Sequence, residues 1–263
     1  MHKKDIGKKL TPIILEAGKI MRAAHADEAH DVSEKGSAAN FVTVYDVKIQ
    51  EFLISEIKKV IPDAYFIAEE KENDESALDH EYCFIIDPID GTANFVHDYR
   101  TSAISVGVYS RRKPLFGAVY NPYLDELFHA ESGKGAYLND TPIKVSSRAM
   151  DHSIVAFGTS PYYKDTLADK TFEIAKRFFL ECSDIRRSGS AALDLAHVAA
   201  GRIDIFFECV LSPWDIAAGA ILIEEAGGVI TDMEGKKIDF AHPSPVVASN
   251  PLVASEALKL IKI

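Results

Sequence analysis

The 263 residues are 47% hydrophobic and 26% charged, enough for one large core or two closely packed halves, and this composition excludes a disordered chain. Forty acidic residues against 29 basic ones give a formal net charge of -11, and no run of Lys and Arg offers a stripe to neutralise a phosphate backbone, so nucleic acid is not an expected partner. An acidic chain that handles an anionic substrate needs local positive charge, from a basic pocket or from bound metal.

In chain order, Ile6, Leu10, Ile13, Ile14, Ala17, Ile20, Met21 and Ala24 recur at helical spacing and predict a first amphipathic helix. Pro12 either kinks it or marks its first turn behind a Thr11 cap, and the sequence does not choose. The apolar run is broken by Glu16 and Lys19, so no signal-peptide core is expected, nor any export or membrane anchor. A second helix is predicted over 47–60, closed by Pro62. Strand-like runs follow at 65–68, 82–86, 103–109 and 115–120, with 111–114 as a hairpin connection and the acidic stretch 69–81 as a solvated loop. Later, strand-like 153–157, 184–186 and 204–208 alternate with helical segments near 165–180 and 189–200, which predicts an α/β second half after a boundary near 145–150. Cys83, Cys182 and Cys209 are odd in number, far apart and without a CxxC pair, which fits reduced cytosol and neither a disulfide framework nor a zinc site.

The richest stretch is Asp87-Pro88-Ile89-Asp90-Gly91-Thr92, where two carboxylates leave the end of an apolar strand and enter a tight turn. Hard divalent cations take oxygen ligands, and Mg²⁺ is held by a few carboxylates with water and substrate phosphate. Gly91 and Thr92 would offer backbone N–H groups to a phosphate at the start of a following helix. The same residues also make a good turn with no further role. A second segment, Ser212-Pro213-Trp214-Asp215, reads as a capping box, with Asp215 as its acid and Gly227 ending the helix, and Asp215 can ligate a metal in that position as well. The third candidate is the pair Glu69-Glu70 after the 65–68 strand, which on its own also reads as a solvated charge run.

Taken together, these segments resemble the inositol monophosphatase family over essentially the whole chain. The pattern Asp-Pro-x-Asp-Gly-Thr-x-Asn-Phe-x-His is matched by Asp87 to His97, and Trp-Asp-x-Ala-Ala-Gly by Trp214 to Gly219. The resemblance implies an α/β (mixed α+β) fold, a layered αβαβα sandwich of two closely packed halves, 1–147 carrying most metal ligands and 148–263 carrying substrate contacts and one ligand. It implies that Glu70, Asp87, the Ile89 carbonyl, Asp90 and Asp215 hold a Mg²⁺ pair, with Asp87 shared and Glu70 also facing a third, more weakly held ion. It further implies that Asp46, in a segment starting at Asn40, acts with Thr92 to orient the attacking water. Two metals can activate the water and clamp both oxygens of an in-line displacement, which also supplies the positive charge missing from the composition. The nine histidines, with no HxH or HExxH spacing, are then incidental.

For substrate, the resemblance implies contacts from Asp90, Gly91, Thr92, Gly189, Ser190 and Ala191, with Glu208 accepting from polyol hydroxyls and Lys35 near the catalytic loop. Ala68 replaces the usual Gly before the Glu pair, and Asp98 follows His97, where its charge is expected to lie near the pocket and disfavour a second phosphate. The implied activity is Mg²⁺-dependent hydrolysis of a small phosphorylated polyol or sugar, first inositol 1-phosphate, by a cytoplasmic, lithium-sensitive homodimer. The alternatives within the fold are fructose 1,6-bisphosphate, 3′-phosphoadenosine 5′-phosphate and histidinol phosphate, and outside catalysis a phosphometabolite-binding regulator, which a lost carboxylate would mark.

Overall fold

The structure, a computed structural model, describes residues 6–24, 32–34 and 41–262. Helix α1 (Ile6–Ala24) runs through Pro12 without starting there, and its buried positions Ile6, Leu10, Ile14, Ala17 and Met21 form one stripe. Burying each large apolar side chain contributes about 1.5–3 kcal/mol, so packing rather than propensity holds this helix. Strands β1 (Val32–Glu34) and β2 (Phe41–Thr43) make a two-stranded ribbon that leads into α2 (Val44–Val60). Lys35 and Asn40 lie outside the described residues.

Next come β3 (Tyr65–Ala68), β4 (Cys83–Asp90), the short helix α3 (Thr92–Val96), β5 (Ala103–Ser110), β6 (Lys113–Asn121), β7 (Glu126–Glu131), β8 (Ala136–Leu138) and β9 (Thr141–Ile143). The seven strands β3 to β9 pair in sequence order, parallel at β3–β4 and antiparallel thereafter. The second sheet takes β10 (Ile154–Phe157), β11 (Asp184–Arg186), β12 (Ile205–Leu211), β13 (Val229–Thr231) and β14 (Ser244–Ser249) in the order β11-β10-β12-β14-β13. Its helices are α4 (Lys164–Glu181), α5 (Ala191–Ala199), α6 (Pro213–Glu225) and α7 (Ala254–Ile261).

Three apolar clusters stack these elements. The first joins α1 and α2 to one face of the seven-stranded sheet. The second buries α5 and α6 between the two sheets, and the third covers the far face of the five-stranded sheet with α4 and α7. The order is αβαβα, as expected. Helix α6 is apolar on every side, buried without a break from Ile216 to Ile223, as a helix between two sheets must be. It can lie close because Gly107 on β5 carries no side chain: a Cβ there would stand 2.8 Å from the Ala217 Cβ.

Several expectations shift. Strand β4 continues to Asp90 instead of ending at 86, and the supposed loop 69–81 contains a 3-10 turn, Glu75–Asp79, that buries Ala77 and Leu78. Strands β7, β8, β9, β13 and β14 and helix α7 were given no element by sequence, because short runs borrow their regularity from neighbouring strands and carry little periodicity of their own. Among the described residues, no helix is long and apolar enough to cross a membrane.

Candidate active site

Along a regular strand, residues three apart face opposite ways. Asp87 pairs with Ser105 and Asp90 with Ala103, so β4 spends three steps where β5 spends two, and this bulge turns both carboxylates to one side. Asp215 joins them from the first turn of α6. Carboxylate oxygens of Asp87, Asp90 and Asp215 lie within 4.8 Å of one another.

Each acid is held by local chain chemistry. Asp87 Oδ1 accepts from the Ile89 N–H at 3.0 Å. Asp90 Oδ2 accepts from the Ser190 hydroxyl and from the Ala192 N–H at 3.0 Å, which places it at the positive end of α5. Asp215 Oδ2 accepts from the Ser212 N–H at 2.7 Å and completes a capping box on α6. Asp46 does the same for α2, accepting from the Thr43 N–H at 2.8 Å and the Thr43 hydroxyl at 2.5 Å. Three helix N-termini therefore converge on this spot. The Thr92 hydroxyl lies 3.2 Å from Asp46 Oδ1 and 3.0 Å from the Ile89 carbonyl oxygen.

The electrostatics are those of an unneutralised cluster. Burial first, then the charge of Glu69, and then Asp90 and Asp215, push the Asp87 carboxyl well above the usual range. Burial raises Asp90 to about 6 against the hydrogen bond from Ser190, and raises Asp46 to about 6 against those from Thr43. Asp215, half-buried, is raised well above its usual value by burial and then by Asp90.

These acids open into a cavity of about 130 Å³ lined also by Gly91, Thr92, Gly189, Ser190 and Ala191. Its lining acids are Asp87, Asp90, Asp194, Glu208 and Asp215, against Arg187 as the lining base. Glu208 is buried, which raises it to about 7, and its Oε1 accepts from the Ser160 N–H at 2.8 Å. Only glycine fits at 158, where a Cβ would stand 1.8 Å from Glu208 Oε2. The hard oxygen donors, their mutual repulsion and the excess of five acids over one arginine in the lining fit a divalent cation such as Mg²⁺.

Sequence reasoning placed Asp46, Asp87, Ile89, Asp90, Thr92, Gly189 to Ala191, Glu208 and Asp215 in one neighbourhood, and the structure brings them together. The Glu pair follows the end of β3 and is not among the residues lining the cavity. Glu69 is the carboxylate whose charge bears on Asp87, while the charge of Glu70 bears on Asp46 and its N–H donates to Gln50 Oε1 at 2.8 Å. Asp98 also departs from expectation: it is exposed, pairs with Arg100 at 3.1 Å and is not among the residues lining the cavity. Missed altogether were Gly158, Tyr162, Arg187 and Asp194. Asp194, 2% exposed and raised by burial to about 7, accepts from the Ser188 hydroxyl at 2.7 Å, while its Oδ1 has no hydrogen-bond partner among the described residues. An acid one turn into an apolar helix was the available signal for it.

The family model for the inositol monophosphatase family matches residues 6–262. The chain is 40% identical to Nus factor SuhB of Escherichia coli (strain K12), over 88% of this chain and 85% of that one. It is 38% identical to an inositol-1-monophosphatase of Mesorhizobium japonicum, over 88% and 86%. The crystal structure of extragenic suppressor protein suhB from Bartonella henselae superposes with a TM-score of 0.90 at 35% identity, covering 98% of each chain. With the family model spanning nearly every residue and the bulged acidic turn and the α6 acid at the positions its motifs require, the chain belongs to the inositol monophosphatase family.

Proposed function

We propose that this chain is a Mg²⁺-dependent phosphatase that hydrolyses the monoester of a small polyol or sugar, with inositol 1-phosphate as the favoured substrate. The observation that carries this reading is the trio Asp87, Asp90 and Asp215 within 4.8 Å, in a cavity whose other wall presents Glu208. An anionic ester cannot approach five acids and one arginine without added positive charge. The proposed ligands are Asp87, Asp90, Asp215, the Ile89 carbonyl and Glu70, with Glu69, whose charge bears on Asp87, as the alternative carboxylate of the pair. Bound Mg²⁺ supplies Lewis acidity toward the phosphate oxygens and lowers the pKa of the attacking water. Two ions, with a third site at the Glu pair, are the proposed complement.

The chain's own residues do the positioning. Thr92 Oγ1 accepts a proton from the attacking water as it donates to Asp46 Oδ1, 3.2 Å away, and Asp46, raised to about 6, is suited to hold a proton near neutral pH. Gly91, Thr92, Ser190 and Ala191 line the cavity at the starts of α3 and α5, where the positive helix ends favour a phosphate group. Glu208 accepts a polyol hydroxyl with the oxygen that Ser160 does not hold. Arg187, which donates to the Thr159 hydroxyl at 3.1 Å, offers the cavity a cation for the leaving oxygen.

Lithium inhibition, a division into 1–147 and 148–263, a cytoplasmic setting and a homodimer belong to the same proposal. For the dimer, α4 presents Phe172 at 58% exposure and Leu180 at 71%, an apolar face of the kind a second copy covers. A second reading, a regulatory role, is favoured by the name Nus factor carried by the 40% identical relative. Phosphate release from inositol 1-phosphate, fructose 1,6-bisphosphate, 3′-phosphoadenosine 5′-phosphate, histidinol phosphate and glycerol 2-phosphate separates the two. Mg²⁺-dependent release that disappears in Asp90→Asn is the expected result, and no release from any of them favours the regulator.

A further inference from the structure

A second cavity, of about 290 Å³, lies on the far side of the first sheet's hairpin, between the β5–β6 turn, the C-terminal half of α6 and the segment around Phe240. Its floor is Tyr109 and Phe240, with ring centroids 4.9 Å apart, and its walls include Leu78, Ala220 and Ile238. An enclosed apolar cavity of about 150 Å³ accepts benzene, so this volume takes a ring with a short polar chain attached.

Its mouth is charged and held in a costly conformation. The two-residue hairpin turn is Arg111-Arg112, with φ of 49° and 63°, a left-handed pair that normally calls for Asn-Gly. The turn is fixed by the Arg111 N–H to the His80 carbonyl at 2.8 Å, the Arg112 N–H to the Leu78 carbonyl at 2.9 Å, and Arg112 Nε to Asp79 at 2.6 Å. Arg112 is neutralised by Asp79 and, at 3.9 Å, by Asp239. The exposed side chains of Glu224 and Lys237 also line the cavity, and among the described residues neither makes a hydrogen bond or ion pair, so the rim offers one charge of each sign to a ligand.

We infer that this cavity is an effector site for an aromatic α-amino acid, its ring on Tyr109 and Phe240, its ammonium on Glu224 and its carboxylate on Lys237. The floor leads to α6. The Tyr109 hydroxyl donates to the Ala217 carbonyl at 2.9 Å, two residues beyond Asp215, and the Ser105 hydroxyl donates to the Trp214 carbonyl at 3.2 Å. Trp214 is the sole tryptophan of the chain and reports on that helix.

The test is calorimetric titration of the full chain with L-phenylalanine, phenylacetate and phenethylamine, with Trp214 emission followed in parallel. L-phenylalanine is expected to saturate one site per chain and shift the emission. Removing either charge from the ligand, or making Lys237→Ala or Glu224→Ala, weakens binding roughly tenfold, the worth of one charge-assisted hydrogen bond. Ala220→Phe fills the cavity and abolishes binding; the two rim variants lie on the surface and keep the test open if that one does not fold. Absence of L-phenylalanine binding overturns the inference, as does equal binding of all three compounds or unchanged binding by the rim variants. Binding that leaves Trp214 emission unchanged overturns the link to α6.

Discussion

Asp204 and Asp87 are both sealed from water, at 0% and 2% exposure, yet the chain treats them in opposite ways. Asp204 receives the Ser146 hydroxyl, Arg148 Nε at 3.1 Å and the Ile154 N–H at 2.7 Å, so every part of its charge is answered by the protein. Asp87 receives one N–H and otherwise faces Glu69, Asp90 and Asp215. Burial alone therefore does not mark a functional acid. What marks it is that its compensating charge has been left to a ligand.

The sharpest way to break that comparison is to neutralise each acid. Asp87→Asn is expected to lower Mg²⁺-dependent phosphate release roughly 10⁴-fold, about 5.5 kcal/mol, while raising the melting temperature of the metal-free protein because a repelled charge is gone. Wild-type turnover, or a fall in that temperature, would show that Asp87 is structural after all. Asp204→Ala is the converse: it strands Arg148 and the Ile154 N–H and is expected to cost about 3–5 kcal/mol in urea unfolding, with turnover per folded molecule near wild type.

A pH series separates the two regions without mutation. Asp90 and Asp46 are raised from 3.8 to about 6, so between those values the folded chain holds protons that the unfolded chain has released. Their contribution to stability is present below about pH 4 and is lost as pH rises through 6. In chelator, urea midpoints are expected to fall from pH 4.5 to pH 7.5, and saturating Mg²⁺ is expected to restore them at the higher pH by binding the ionised acids. Midpoints that ignore both pH and Mg²⁺ would dissolve the distinction. The smallest effect is at Glu208, where Glu208→Gln should weaken kcat/KM about tenfold for a polyol phosphate and leave a substrate without ring hydroxyls unchanged.

Much of this was readable from residues because the two motifs carry their own geometry. Asp-Pro-x-Asp-Gly announces a turn, Ser-Pro-Trp-Asp announces a helix start, and both acids stand where those local rules put them. The five-layer order came with the family resemblance, and α6, apolar on every side, is the helix that fits between its two sheets. What was hidden depends on other strands. The bulge that aligns Asp87 with Asp90 is a register event between β4 and β5. The need for glycine at 158 arises from a carboxylate fifty residues downstream. Arg111-Arg112 read only as a connection, since left-handed backbone at arginine has no signature in composition.

Asp46, Asp90 and Asp215 each answer the first N–H groups of a helix, at α2, α5 and α6. Their retention is thus selected twice, once by chemistry and once by folding, since losing such a cap costs about 1 kcal/mol. A descendant of this chain that abandoned hydrolysis for a binding role would still be under pressure to keep these acids. An intact set of acids is therefore a record of descent, and turnover has to be measured.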